Sequence, residues 1–87
     1  MSEQAQAIQA ILDDHHNAAR WRYDIATDNE NKVYIYGTSI DSTTLAEVAI
    51  RDAIAALRAA GIRCRKAPRR LVVYAWITDA QIREALA

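Results

Sequence analysis

The chain has 87 residues, which is the size of one small domain, and its eleven basic and eleven acidic residues give a formal net charge of zero. Hydrophobic residues make up 52 % of it, too many for an intrinsically disordered chain, and no apolar run approaches the roughly 20 residues of a membrane span. The opening MSEQAQAIQ lacks a basic region and predicts no signal peptide, and the lone Cys64 excludes an internal disulfide framework, which favours a reducing, cytoplasmic setting.

The zero net charge hides an uneven distribution. Residues 1–50 hold three basic and eight acidic residues, a net charge of −5, whereas residues 51–87 hold eight basic and three acidic ones, a net charge of +5. The basic residues concentrate between positions 58 and 70, where no acid occurs: Arg58, Arg63, Arg65, Lys66, Arg69 and Arg70. The two halves either neutralise each other in the fold or leave a basic surface available for binding.

The first elements in chain order are a helix and a strand. Residues 3–19 place apolar side chains at helical spacing, with Ser2 as a plausible N-cap. Residues 20–25 then alternate polar and apolar residues, a pattern typical of a half-buried strand. This alternation points Trp21, Tyr23 and Ile25 to one face, and Arg20 and Arg22 to the other.

A second strand, residues 32–40, follows the polar, turn-prone segment 27–31. Val33 and Ile35 share one face of this strand, and Tyr34 and Tyr36 share the other. Because the connection is short, the two strands are expected to form an antiparallel hairpin.

The most hydrophobic helix comes next and is expected to pack centrally over the sheet. It begins near Asp41 or Thr44, either of which is a plausible N-cap, and Thr44 would form a capping box with Glu47. It runs to Gly61, which suits the left-handed position after a helix.

The last part of the chain predicts a second hairpin and a short helix. Residues 62–65 alternate as a strand, residues 66–69 contain the only proline and form the turn, and residues 71–77 are apolar on both faces, as in a central strand. Thr78 and Gln81 match the capping box of a final helix. The prediction is therefore a single α+β domain over residues 1–87, in the order α-β-β-α-β-β-α, with a four-stranded, mainly antiparallel sheet packed by helices.

No catalytic or metal site emerges from the sequence. Asp13 and His16 have the spacing of a helical ligand pair, but two ligands do not make a site. His15 is better explained as a half-buried residue at the end of the apolar stripe, and His16 as a solvated one. Cys64 has arginine neighbours, yet strand alternation turns it away from them, so it is expected to be a small buried hydrophobe. We expect no enzymatic activity, no cofactor and no metal.

The surface that stands out is the sheet face opposite the helices. Strand parity assigns it arginines together with large aromatic residues, namely Arg20, Arg22, Tyr34, Tyr36, Arg63, Arg65, Tyr74 and Trp76. These residue types are enriched at the energetic centres of protein interfaces. The alternative is that a helix covers part of this face and the arginine stems merely pack over the tyrosines.

Two functional hypotheses follow from these surfaces. The first is a small non-enzymatic protein-binding module, of adaptor or inhibitor type, that uses this sheet face to bind a protein partner, which is either a second copy or a larger assembly. The second is nucleic-acid binding by the basic hairpin 58–70. The first is favoured because a dedicated nucleic-acid binder usually has a basic total charge.

Overall fold

The computed structural model describes residues 2–28, 31–37 and 42–87, and it confirms the predicted α+β class and element order. The elements are α1 (Glu3–Asp13), a 3₁₀ turn (Ala18–Arg20), β1 (Asp24–Thr27), β2 (Lys32–Tyr36), α2 (Thr43–Ala59), β3 (Arg63–Lys66), β4 (Val72–Trp76) and α3 (Asp79–Leu86). None of the helices in these ranges has the length and apolar character that a membrane crossing requires.

The four strands form one antiparallel sheet in the order β1-β2-β4-β3. The two strands of each hairpin pair with each other, and the second strands of the two hairpins, β2 and β4, pair at the centre of the sheet. This confirms the central position expected for residues 71–77, whose run of apolar residues suits a strand that has neighbours on both sides.

The main hydrophobic cluster of the described residues lies between the helices and one side of the sheet. Val33, Ile35 and Val73 point towards the helices and are fully buried. They belong to the same cluster as Leu57 of α2 and Ile8 of α1, while α3 packs mainly against α1. All three helices of the described residues cover this side, so none of them covers the other face of the sheet. The alternative in which the first or third helix covers part of that face is therefore wrong.

Helix α1 is shorter than predicted. It ends at Asp13, and the chain then turns, with the His15 imidazole Nδ1 accepting hydrogen bonds from the backbone N–H groups of Asn17 and Ala18 at 3.3 and 3.4 Å. A side-chain acceptor that satisfies backbone donors in this way replaces the helical pattern. The predicted continuation of the helix to residue 19 is therefore wrong.

The first strand begins later than predicted. The expectation of a strand over residues 20–25 is wrong, because β1 covers Asp24–Thr27. The hairpin pairs Thr27 with Val33 and Asp24 with Tyr36, so the end of β2 at Tyr36 also limits how far back β1 can pair. Among the described residues, no strand pairs with those before Asp24.

Helix α2 begins at an N-cap that the sequence analysis did not choose. Ser42 is the N-cap, and its Oγ accepts a hydrogen bond from the Leu45 N–H at 3.4 Å, so the alternative with Thr44 is wrong and Asp41 lies outside the described residues. At the other end Gly61 has a φ of +77°, and the Ile62 N–H donates to the Leu57 carbonyl at 2.8 Å. This confirms Gly61 as the left-handed residue that terminates the helix.

Helix α3 begins with the capping box that the sequence predicts. The Thr78 hydroxyl accepts from the Gln81 N–H at 3.2 Å, and the Gln81 side chain accepts from the Thr78 N–H at 2.9 Å. The Gln81 amide also donates to the Gly61 carbonyl at 3.0 Å, which ties the start of α3 to the end of α2. Ile77 and Ile82, on either side of this cap, are both buried.

Candidate functional site

The candidate site is the sheet face that points away from the helices, which we call the open face. Strand register and alternation place eleven residues on it: Asp24, Ala26, Asp28, Lys32, Tyr34, Tyr36, Arg63, Arg65, Val72, Tyr74 and Trp76. Of the eight residues predicted for this surface, six are on it, and they come from three of the four strands.

The centre of the open face is aromatic. Tyr34 on β2 and Tyr74 on β4 are directly opposite each other, with ring centroids 5.5 Å apart in an edge-to-face arrangement. Tyr36 and Trp76 extend this cluster along the same two strands, and all four side chains are half-buried. β-Branched and aromatic residues favour strands, so the residues that build these two strands also furnish the aromatic surface.

A lysine lies among these rings. The Lys32 Nζ is 4.4 Å from the centroid of the Tyr74 ring, 5.1 Å from that of Tyr34 and 5.7 Å from that of Trp76. A cation this close to the ring faces is attracted by their quadrupoles. Lys32 is not among the residues predicted for this face, although the parity that placed Tyr34 and Tyr36 there applies equally to residue 32.

Two arginines continue the cationic surface on β3, the edge strand on the other side of the sheet from β1. The Arg63 Cζ lies 4.8 Å from the centroid of the Trp76 ring, and the Arg65 Cζ lies 5.9 Å from that of Tyr74. Both arginines are exposed at their strand positions. Each guanidinium therefore contacts an aromatic ring and still presents donors to the solvent.

The opposite edge of the open face is acidic. Asp24 lies on β1 opposite Tyr36, and the Asp28 carboxylate accepts a hydrogen bond from the Tyr34 hydroxyl at 2.9 Å. This hydrogen bond is the main reason that the pKa of the Tyr34 hydroxyl is raised above its usual value. The open face thus has acidic side chains along β1 and basic side chains along β3.

Arg20 and Arg22 were expected on this face, and the structure places them elsewhere. Arg20 belongs to the 3₁₀ turn, and its guanidinium pairs with the Asp52 carboxylate of α2 at 3.2 Å, on the side of the helices. Arg22 precedes β1 and is outside the paired part of the sheet. The cause is the later start of β1, because strand alternation assigns faces only where a strand exists.

The six basic residues between positions 58 and 70 do not share one surface. Arg63 and Arg65 are on the open face, whereas Arg58 is on α2 near the Cys64 thiol. Lys66 lies beside α2 in a cleft with Glu47 and Ile54. Arg69 and Arg70 are in the turn between β3 and β4, where Arg69 has a φ of +57°.

Cys64 points towards the helices, as the alternation predicts. Its thiol is half-buried and packs against the core cluster. Burial raises the pKa of this thiol, and the nearby Arg58 guanidinium offsets only part of that effect. A raised pKa favours the protonated form of the thiol at neutral pH.

The histidine pair lies after α1 rather than on it. The imidazole rings of His15 and His16 stack with centroids 4.7 Å apart, and His15 uses its Nδ1 to accept backbone hydrogen bonds. Within residues 2–28, 31–37 and 42–87, no group of three or more His, Cys, Asp or Glu side chains is placed to hold a metal ion.

No family model, curated protein or solved structure matches the chain.

Proposed function

We propose that the chain is a non-enzymatic protein-binding module and that the open face is its binding surface. The observation that carries the proposal is the cluster of Tyr34, Tyr36, Tyr74 and Trp76 on a sheet face that none of the described helices covers. Aromatic side chains offer a large contact area with few rotatable bonds, so little conformational entropy is lost when a partner covers them.

The cations on the face support a protein partner over a base-stacking one. Lys32 and Arg65 lie over the Tyr74 ring, and Arg63 lies over the Trp76 ring. Non-specific nucleic-acid binders stack successive bases on ring faces that are accessible. On this sheet those ring faces already have cations against them, and a carboxylate-bearing protein surface can pair with the same cations without displacing them.

The location of the remaining basic residues supports the same choice. A nucleic-acid backbone is bound by a continuous basic groove or stripe. Here Arg58 and Lys66 lie on the helical side of the sheet, while Arg63 and Arg65 lie on the open face together with Asp24. The basic hairpin 58–70 therefore divides its charge between two faces.

The test is a comparison of captured partners between variants. The tagged chain is expressed with an untagged copy, and the retained proteins are compared for wild type, Trp76→Ala, Arg65→Ala and Tyr36→Ala. Matched controls on the helical side are Leu45→Ala and Arg83→Ala, which truncate an exposed apolar and an exposed basic residue. Circular dichroism establishes that each variant is folded.

We expect one protein to be retained by wild type and by both controls and to be lost from the open-face variants. In a direct titration with that protein, each open-face truncation should weaken binding by about 1–4 kcal/mol, as anchors in an interface do. Equal retention by all variants would exclude this face as the binding surface. Loss of the retained protein after nuclease treatment would show that nucleic acid mediates the contact, and would overturn the proposal in favour of the alternative.

A further inference from the structure

The open face has charges of opposite sign at its two edges, and the strand register aligns them in rows. In the first row, Asp28 is next to Lys32, and the Asp28 N–H donates to the Lys32 carbonyl at 3.3 Å. Lys32 pairs with Trp76, and Trp76 pairs with Arg63. This row therefore begins with an acid on the β1 side and ends with a base on β3.

The other two rows vary in side-chain size. The second row reads Ala26, Tyr34, Tyr74 and Arg65, with the smallest side chain at one edge and the longest at the other. The third row reads Asp24, Tyr36 and Val72, and Val72 is buried although it is on the open face.

We propose that the protein bound by the open face is a second copy of this chain, packed face to face about a twofold axis that runs parallel to the strands. The inference rests on the proposed function and names its partner. Such an axis exchanges the two edges of the sheet, so β1 of one copy lies over β3 of the other and β2 lies over β4. Each row then faces the same row of the second copy in reverse order.

The charges are complementary in this arrangement. Asp28 faces Arg63 of the second copy, and Lys32 faces Trp76 of the second copy, so each contact in the first row is an ion pair or a cation–π pair and occurs twice by symmetry. Because both sheets twist, the strands of two aligned sheets cross at about 30°. This angle displaces the contacts at the sheet edges, whereas the contacts at the middle of each row stay directly opposed.

The side-chain sizes are complementary as well. Ala26 faces Arg65 of the second copy, so the longest side chain meets the shortest. Tyr36 faces the buried Val72 of the second copy, and Tyr34 faces Tyr74 at the centre, where aromatic pairs pack edge to face. A large residue opposite a small one is what lets two facing layers interdigitate.

The competing twofold arrangement brings like charges together. An axis that lies in the plane of the interface but runs across the strands places β1 over β1 and β3 over β3. Arg65 of one copy would then face Arg65 of the other copy, and Asp28 would face Asp24 of the other copy. Like-charge contacts of this kind are costly when they lose solvent, so the axis parallel to the strands is favoured.

The area of the face predicts a weak, reversible dimer. Four strands spaced about 4.8 Å apart, the two central ones five residues long and the two edge ones four, span roughly 19 by 17 Å at most. With side-chain relief, the two copies together would bury about 1,000 Å², which is at the lower end of specific interfaces. The dimer should therefore dissociate in the micromolar range and fall apart on dilution.

The test uses charge reversal on both sides of one contact, followed by sedimentation velocity from about 10 µM to about 1 mM. Asp28→Lys faces the unchanged Arg63 of its second copy, and Arg63→Glu faces the unchanged Asp28, so each variant alone has two repulsive contacts. When the two variants are mixed, both contacts of the mixed dimer become attractive. Arg83→Glu and Glu84→Lys, both exposed on α3, are the matched controls.

We expect each single reversal to weaken self-association at least about tenfold, the mixture to regain it to within about threefold of wild type, and the controls to behave as wild type. A wild-type chain that stays monomeric at about 1 mM would overturn the second copy as partner. So would a dimer that both reversals leave unchanged, or a mixture no tighter than its components. The proposed function survives these outcomes if the capture experiment still retains another protein through Trp76 and Arg65, and it fails if that experiment shows no dependence on the open face or if nuclease treatment releases the retained protein.

Discussion

The indole N–H of Trp21 donates a 2.7 Å hydrogen bond to the Asp52 carboxylate, which joins the segment before β1 to the middle of α2 across 31 residues of chain. The same carboxylate oxygen pairs with the Arg20 guanidinium at 3.2 Å. The Asp52 side chain is only 14 % exposed, whereas that of Arg20 is 57 % exposed. The Asp52 carboxylate therefore helps to hold the segment between the 3₁₀ turn and β1 against α2.

The hydrogen bond from Trp21 to Asp52 should contribute more to stability than the ion pair of Arg20 with Asp52. Asp52→Ala leaves the half-buried Trp21 N–H without its acceptor, and we expect the free energy of unfolding to fall by about 1–3 kcal/mol. Arg20→Ala removes only an exposed ion pair and should cost less than about 1 kcal/mol. Urea unfolding followed by tryptophan fluorescence measures both; a larger loss for Arg20→Ala than for Asp52→Ala would contradict this assignment.

Helix α2 gives a matched pair of truncations for the core. Leu57 is fully buried against the sheet, and Leu57→Ala should lower the free energy of unfolding by about 2–5 kcal/mol. Ile54 is three residues away on the same helix but only half-buried, so Ile54→Ala should cost clearly less. The comparison is made by denaturant unfolding of the two variants, and equal losses would mean that Leu57 is not part of the core described above.

The sequence predicted the open face better than it predicted the strand next to it. Alternation was sufficient to place Tyr34, Tyr74 and Trp76 on the same face of the sheet, because side-chain direction in a strand follows parity alone. The apolar run 71–77 predicted the central position of one of the two strands that carry them, and the pairing of β2 with β4 was not predicted. The placement of Arg20 and Arg22 failed because parity says nothing about where pairing begins. That limit came from the hairpin register and the end of β2 at Tyr36, which are non-local properties.

Other features depended on contacts that a sequence pattern does not contain. The end of α1 is set by the imidazole of His15, which accepts hydrogen bonds from two backbone N–H groups and so competes with helical hydrogen bonding. The charge asymmetry of the open face depends on which edge each hairpin occupies in the β1-β2-β4-β3 order. Lys32, by contrast, could have been found from the alternation already in use.

The stability of the fold should decrease at alkaline pH. Burial is the main cause that raises the pKa of the Tyr23 phenol above its usual value of 10.0, and its hydroxyl donates to the Ala49 carbonyl inside the core. Since the pKa is higher in the folded chain, the unfolded chain loses this proton first as the pH rises above about 10. The stabilising contribution of Tyr23 is therefore fully present below pH 10 and is lost above it.

The measurement is the free energy of unfolding at several pH values between about 8 and 11.5, for wild type and Tyr23→Phe. We expect the wild-type value to fall with a slope that the variant reduces, because phenylalanine has no proton to lose. Tyr23→Phe should also cost about 1 kcal/mol at pH 8 through the lost hydrogen bond. An identical pH dependence in both proteins would show that Tyr23 does not titrate differently in the folded state.

Binding to nucleic acid should be weak near physiological ionic strength. The open face brings together three cations, Lys32, Arg63 and Arg65, and the other basic residues of the 58–70 segment are on the helical side or in the turn. Each phosphate contacted on duplex DNA contributes about −0.9 to the slope of log affinity against log salt concentration, so three contacts give about −2.7, whereas six would give about −5.4. Fluorescence anisotropy with labelled duplex and single strands over a salt series measures that slope. We expect no submicromolar binding, and a shallow slope for any residual binding. Submicromolar affinity with a slope of about −5 would mean that both sides of the hairpin contact phosphates, and it would replace the protein partner by nucleic acid.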